Sequence, residues 1–314
     1  MRRVAIIVNL AAGGGKADRK WLKIEAEVLQ KLPDDTIVIK HDGILDLETL
    51  VQDLTSKEGI DVFISAGGDG SLHLLVNALF PLIANKSVKY YIGAVGLGSS
   101  NDFHKPHREL IGTIPVRIDL SKWIQADLGR MTYTSEEGSR RIRYFLINSS
   151  LGVTAQANAL FNREDVVLTF LKKRWPLFAI NYAALKTIVH HRNYPAEISY
   201  GEHSERIRLS NLAILKNPHV SGSLSYGYVL APDDGKLVLA YCHDMNKWEL
   251  FQTLRDLSHG EFQSNSKRRS IFTTSVKVDV DQPVIIEADG EIYRGIQLQY
   301  SVLPGAINLL TTDT

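Results

Sequence analysis

The stretch Val62-Phe63-Ile64-Ser65-Ala66-Gly67-Gly68-Asp69-Gly70-Ser71 decides how the rest of this chain is read. An apolar run leads into glycines, and Leu72, Leu75, Val76 and Leu79 then follow at helical spacing, which is the pattern of a strand, a tight turn and a helix start. Glycines at such a junction let the backbone bend closely around a ligand. The first N–H groups of the helix have no partner within it and point at any anion placed there. Gly67, Gly68, Gly70 and Ser71 are therefore expected to hold a phosphate, with Asp69 where a nucleotide's magnesium or ribose meets it. On this stretch alone, helix capping by Asp69 and Ser71 is an open alternative.

Working outward, the first hundred residues alternate between strand and helix patterns. Val4 to Val8, Ile37 to Ile39, Val62 to Ser65 and Tyr90 to Val95 read as strands. Trp21, Leu22, Glu25, Val28, Leu29 and Leu32 mark one helix face, and Leu47, Leu50, Val51 and Leu54 another. Strands separated by helices predict a doubly wound parallel sheet, whose ligands bind beyond the carboxyl ends of the strands. Three loops fall there: Asn9 to Lys16, Gly67 to Ser71, and Gly96 to Asp102. The first carries Asn9 and the run Gly13-Gly14-Gly15-Lys16, with Arg19 and Lys20 in the next helical turn; the third carries Gly98, Ser99, Ser100, Asn101 and Asp102. A glycine loop with a lysine suits phosphate oxygens, although this one lacks the spacing of a P-loop. Each loop read alone could be a mobile turn. Three that converge on one sheet edge make a stronger case for a site.

From about Asp119 the texture changes to short β-branched and aromatic runs split by turns: Tyr144 to Asn148, Ile207 to Leu215, Leu237 to Tyr241, Val276 to Val280, Val284 to Glu287 and Ile296 to Leu303. These predict an antiparallel sandwich. A helical insertion over Glu164 to His191 interrupts it, with Lys172-Lys173-Arg174-Trp175 beside Leu177, Phe178 and Tyr182. Cations next to interfacial aromatics suit anionic headgroups, while the leucines suit packing under the sandwich. The expected organisation is an α/β domain over residues 1–120 and a β-sandwich domain over 121–314, with the extreme C-terminus returning to the first.

Composition narrows the function. At 314 residues the chain suits two domains, and Lys+Arg 36 against Asp+Glu 35 leaves no global attraction for nucleic acid. The single cysteine, Cys242, excludes an internal disulfide and fits a reducing compartment. No apolar run approaches the roughly 20 residues of a membrane span. The expectation is a soluble, cytoplasmic protein that meets the inner membrane face peripherally, if it meets a membrane.

The motifs resemble a family, the catalytic domain shared by diacylglycerol kinases, sphingosine and ceramide kinases, and bacterial lipid kinases. Gly67-Gly68-Asp69-Gly70-Ser71 is similar to its Gly-Gly-Asp-Gly-Thr signature, and Gly98-Ser99-Ser100-Asn101-Asp102-Phe103 to its Gly-Thr-(Gly/Ala)-Asn-Asp-Phe loop. Asp127-Leu128-Gly129 and Phe145 to Gly152 resemble the entry into its second domain. Asp289-Gly290-Glu291 and Val302-Leu303-Pro304-Gly305-Ala306 resemble its closing motifs, so the likeness spans nearly the whole chain in order. Leu10, Ser71, Ser99, Ser100, His104 and Lys105 depart from the usual residues, and Lys40-His41 lie near where a threonine is usual, which bears on the adenine and ribose contacts.

The resemblance implies transfer of the ATP γ-phosphate to a lipid hydroxyl. It assigns ATP to Asn9, Lys16, Gly67 to Ser71, Ser99, Asn101 and Asp102, and Mg²⁺ to Asp69 and Asp102, with Asp69 also serving the chemistry. Glu291 is the implied base, and Asp234, in Asp234-Gly235-Lys236, is the implied ligand of a second, structural Mg²⁺. Without the resemblance, Glu291 reads as a solvated hairpin residue and Asp234 as part of an ordinary turn. Two other functions fit the same motifs: an NAD kinase, and a nucleotide-binding or membrane-sensing protein without turnover.

Overall fold

A computed structural model describes residues 2–43, 45–84, 89–162, 168, 170–171 and 175–312. The chain divides into two compact units, one of residues 1–127 with 304–314 and the other of residues 128–303.

In the first unit, strands β1 (Val4–Asn9), β2 (Ile37–His41), β3 (Val62–Gly67) and β4 (Tyr91–Gly96) form a parallel sheet in the order β2-β1-β3-β4. Valine and isoleucine fill β1 and β3 because both faces of such a sheet are covered. Trp21, Ile24 and Val28 of the Ala17–Gln30 helix pack on Val4, Ile6, Val62 and Ile64. The free edge of β4 is covered twice. The antiparallel strand Ile114–Arg117 pairs Ala94 and Val95, and the chain's last strand returns to pair Asn308 with Tyr91 and Leu309 with Ile92.

The second unit is mostly antiparallel. Its principal strands are β5 (Asn148–Gly152), β6 (Tyr194–Tyr200), β7 (His203–Leu215), β8 (Leu237–His243), β9 (Arg268–Thr273), β10 (Ser275–Val280), β11 (Val284–Ala288) and β12 (Glu291–Leu310), the last of which ends in the first unit. Pairing runs β7-β6-β10-β12-β11-β5 and back to β7, with β8 and β9 extending from β7. Met131, Phe145, Leu212, Tyr241, Val278, Ile286 and Tyr300 fill the interior.

Two expectations change here. Tyr144 to Asn148 is not one strand: Arg140–Phe145 ends, and β5 begins at Asn148. The backbone turns there because the N–H groups of Leu146, Ile147 and Asn148 all donate to the Asp289 carboxylate, at 2.8, 2.9 and 3.0 Å. Of the helical insertion expected over Glu164 to His191, the described residues include the helix Pro176–His190; a separate helix, Val153–Asn162, precedes it, and the basic triplet Lys172-Lys173-Arg174 lies outside the described residues. A further helix, Lys247–Ser258, was not anticipated. Its signal was present in the Asn246-to-Glu249 capping box ahead of Leu250, Leu254 and Leu257. No helix among the described residues is long and apolar enough to cross a membrane.

Candidate functional site

Because β1, β3 and β4 run parallel, the loops that follow them leave the same edge of the sheet. Hydrogen bonds tie all three together. Asn9, the last residue of β1, donates from Nδ2 to Ser71 Oγ at 3.0 Å and accepts the Ala11 N–H at 3.1 Å. The Gly67 carbonyl accepts the N–H groups of Leu97 at 2.7 Å and Gly98 at 3.1 Å. Asp69 is the first residue of its helix, after Gly68 at the N-cap position. Its carboxylate accepts the N–H of Asp102 at 3.0 Å and of Phe103 at 3.2 Å, joining the second loop to the third.

The glycines permit this closeness. A Cβ on Gly98 would lie 2.6 Å from Gly68 Cα, and one on Gly13, at φ +62°, would lie 2.8 Å from the Leu97 carbonyl. The Asp69–Ile83 helix begins at Gly68 with no side-chain cap, so its first-turn N–H groups face the glycine loops and the positive end of the helix dipole is directed there. Gly68 holds the N-cap position, and Asp69 and Ser71 stand in the first turn of the helix.

Asn101 occupies the left-handed region at φ 50°, donates from Nδ2 to the Gly96 carbonyl at 3.0 Å, and leaves a buried Oδ1 without a partner. Buried Asp102 receives the Lys105 ammonium at 2.5 Å. Ser99 is exposed at the lip of the third loop, and Lys16 is half-buried at the head of the Ala17–Gln30 helix.

Lys20 has a larger role than its sequence position suggested. Its Nζ donates to the carbonyls of Leu97 at 2.9 Å and Gly98 at 2.8 Å, clamping the third loop to the helix that follows the first. Burial, with the charge of Lys16 second, holds its pKa below the ordinary lysine value. The signal available was its spacing of four from Lys16, which puts both on one helix face.

Glu291 and Asp234 belong to the second unit. Glu291 opens β12 after a hairpin turn in which Asp289 (φ 48°) and Gly290 (φ 95°) are both left-handed, as an Asp-Gly type I′ turn requires. Beside it, buried Glu287 accepts the Gly290 N–H at 2.7 Å and the Ser150 hydroxyl at 2.6 Å. Sequence reasoning did not single out Glu287, since a glutamate in a strand carries no sign of its burial. Asp234 meets a cation of the protein's own: its Oδ1 accepts the buried Lys216 ammonium at 3.0 Å and the Lys236 N–H at 3.0 Å. Asp234 thus carries a cation of the chain's own on one carboxylate oxygen. Among the described residues no three His, Cys, Asp or Glu side chains gather into a metal cage.

Comparison with known proteins agrees with this arrangement along the chain. The model of the diacylglycerol kinase catalytic domain matches residues 3–119, and that of the YegS C-terminal NAD kinase beta sandwich-like domain matches residues 148–311. A candidate lipid kinase of Staphylococcus carnosus is 25% identical over 320 residues, covering 99% of this chain and 97% of the relative. A diacylglycerol kinase of Staphylococcus aureus is 30% identical over 135 residues, 42% of this chain and 41% of the relative. The crystal structure of a candidate diacylglycerol kinase from Bacillus anthracis superposes with a TM-score of 0.73 at 18% identity, covering 99% of this chain and 97% of that one, which is a likeness of fold. Looped glycines on a parallel sheet, a second unit of antiparallel strands and matches to both family models lead to one assignment: the chain belongs to the diacylglycerol-kinase-like lipid kinase family.

Proposed function

We propose that the protein transfers the γ-phosphate of ATP to the hydroxyl of a lipid of the diacylglycerol or sphingoid kind. The observation that carries this reading is the convergence of three glycine loops on an uncapped helix N-terminus, which suits a polyphosphate. In this reading the N–H groups of Gly68, Gly70 and Ser71 hold phosphate oxygens, Lys16 adds charge, and Asn9, Ser99, Asn101 and Asp102 shape the loops around the nucleotide. The lipid hydroxyl oxygen attacks the γ-phosphorus, the bond to the β-phosphate oxygen breaks, ADP leaves, and Glu291 takes the hydroxyl proton. Such a transfer needs positioning and charge neutralisation more than covalent help.

Mg²⁺ in phosphoryl-transfer sites takes one or two carboxylates and completes its shell with phosphate oxygens and water, so a cage of three residues is not required. Asp69 and Asp102 are the residues that would hold the ion; Asp69 also accepts the N–H groups of Asp102 and Phe103, and Asp102 also faces the Lys105 ammonium. When bound, the ion neutralises charge developing on the phosphates.

Glu291→Gln keeps the shape of the side chain but cannot accept a proton at neutral pH. Phosphorylation of a lipid extract should fall about 10²- to 10⁴-fold, with ATP affinity and fold retained. Turnover at the parent rate would place the base elsewhere. Transfer to NAD in place of lipid would favour the NAD kinase reading, and no transfer to any acceptor by the parent would favour a binding protein.

A further inference from the structure

Large apolar side chains are rarely left exposed in clusters on a soluble surface. Thirteen stand out as exposed among the described residues, and seven belong to one short region of the second unit: Phe170, Trp175, Phe178, Leu185, Val189, Trp248 and Phe251, each between 42% and 68% exposed. Phe170, Trp175 and Phe178 form a chain of edge-to-face contacts with centroids 6.3 and 6.4 Å apart. Trp248 and Phe251, one turn apart on the Lys247–Ser258 helix, stack with centroids 5.9 Å apart and planes within 15°. The two helices meet end to end, because Lys247 Nζ donates to the carbonyl of His191, just past the end of the Pro176–His190 helix. Exposed Val189 and Trp248 therefore flank the junction. Below them, Ile188 of one helix and Leu250 and Leu257 of the other share a core with Ala213, Leu215 and Ala240. The fold thus has an inner apolar face that is satisfied and an outer one that is not.

Charge identifies the occupant. From Trp175 to Ala196 the sequence has Lys186 and Arg192, with Arg192 exposed, and no Asp or Glu. On the second helix both acids are neutralised, Glu249 by Lys267 at 2.7 Å and Asp256 by Arg268 at 2.5 Å. Exposed Arg255 follows Trp248 and Phe251 by seven and four residues, on the same side of the helix. Exposed aromatics beside cations, on helices whose own acids are paired with Lys267 and Arg268, suit the boundary between anionic headgroups and acyl chains, where tryptophan is favoured.

We infer that the outer face of these two helices, centred on Trp175, Phe178, Val189, Trp248 and Phe251, docks the protein on an anionic lipid bilayer. The inference deepens the lipid-kinase reading by naming the surface through which a lipid is reached, yet it is tested without ATP.

The full-length protein is sedimented with phosphatidylcholine vesicles, with and without phosphatidylglycerol. Binding is expected only with the anionic lipid and should weaken as salt rises. The double variant Trp248→Ala, Phe251→Ala should bind at least about tenfold more weakly, with its melting temperature checked alongside. Brominated acyl chains report depth. They should quench the parent's tryptophan fluorescence, and Trp175→Phe with Trp248→Phe should remove most of that quenching, because the remaining tryptophans lie in the first unit, Trp21 fully buried and Trp123 half-buried against Tyr91. Equal binding to both vesicle types, or quenching unchanged in the double phenylalanine variant, would overturn the inference. So would a concentration-dependent dimer that the double alanine variant dissociates, since the face would then join two copies of this chain. Failure of the lipid-kinase reading is seen separately, as absence of phosphorylation of a short-chain lipid in detergent micelles.

Discussion

A methyl group on residue 98 would lie 2.6 Å from Gly68 Cα and 2.9 Å from Asn101 Oδ1, whereas one on residue 68 would meet Gly98 Cα at 3.4 Å. The two glycines of this contact are therefore unequal. Gly98→Ala must push backbone against backbone, and overpacking of this kind costs about 1 to 3 kcal/mol. Titration calorimetry should show ATP binding at least about tenfold weaker for Gly98→Ala but within about threefold of the parent for Gly68→Ala. Equal losses would mean that both act through phosphate contact alone. The sequence marked both positions as glycines of a phosphate loop. It could not rank them, because the difference is made by a neighbour some thirty residues away in the chain.

At the scale of elements, the hairpin of β11 and β12 depends on a carboxylate that reaches back across the unit. Asp289 accepts three backbone N–H groups at residues 146 to 148, and its own N–H donates to the Asn148 carbonyl at 3.0 Å. Asp289→Ala would leave those buried donors unsatisfied, at about 1 to 3 kcal/mol each before relaxation. Urea denaturation should show a loss of at least about 3 kcal/mol, and a loss under about 1 kcal/mol would remove Asp289 as the anchor of this turn. The same bonds explain why Tyr144 to Asn148 read as one strand and folds as two. Apolar alternation is local, and the interrupting partner comes from residue 289. By contrast, the strands of the first unit were legible because their buried faces require valine and isoleucine runs whatever else they touch.

At the scale of the molecule, each unit holds a histidine kept neutral by burial. His104 is pushed down to about 3, first by burial and then by the charges of Arg117 and His107; His191 is pushed down to about 4, first by burial and then by Lys247. Unfolding releases both to the ordinary value near 6.5, so below that pH the unfolded chain binds more protons than the folded one. Stability is therefore whole above pH 6.5 and falls as the pH drops toward 4 and then 3. For His104 the loss at pH 5 is about 2 kcal/mol. Melts of His104→Leu and the parent at pH 7.5 and pH 5 should show a smaller acid-induced drop in the variant, and equal drops would mean that His104 is not held neutral.

What the sequence determined by itself was the α/β-then-β order of the fold, the three glycine loops and their place at the carboxyl ends of strands, because these depend on local periodicity and on the backbone freedom of glycine. Tertiary structure alone decided which charges are already spent: Lys20 on the carbonyls of the third loop, Lys105 on Asp102, and Lys216 on Asp234. It also decided which aromatics are left outside, since Trp21 is fully buried and Trp248 is not. Pairing and exposure are properties of neighbours brought together from distant parts of the chain, and no residue's own identity encodes them.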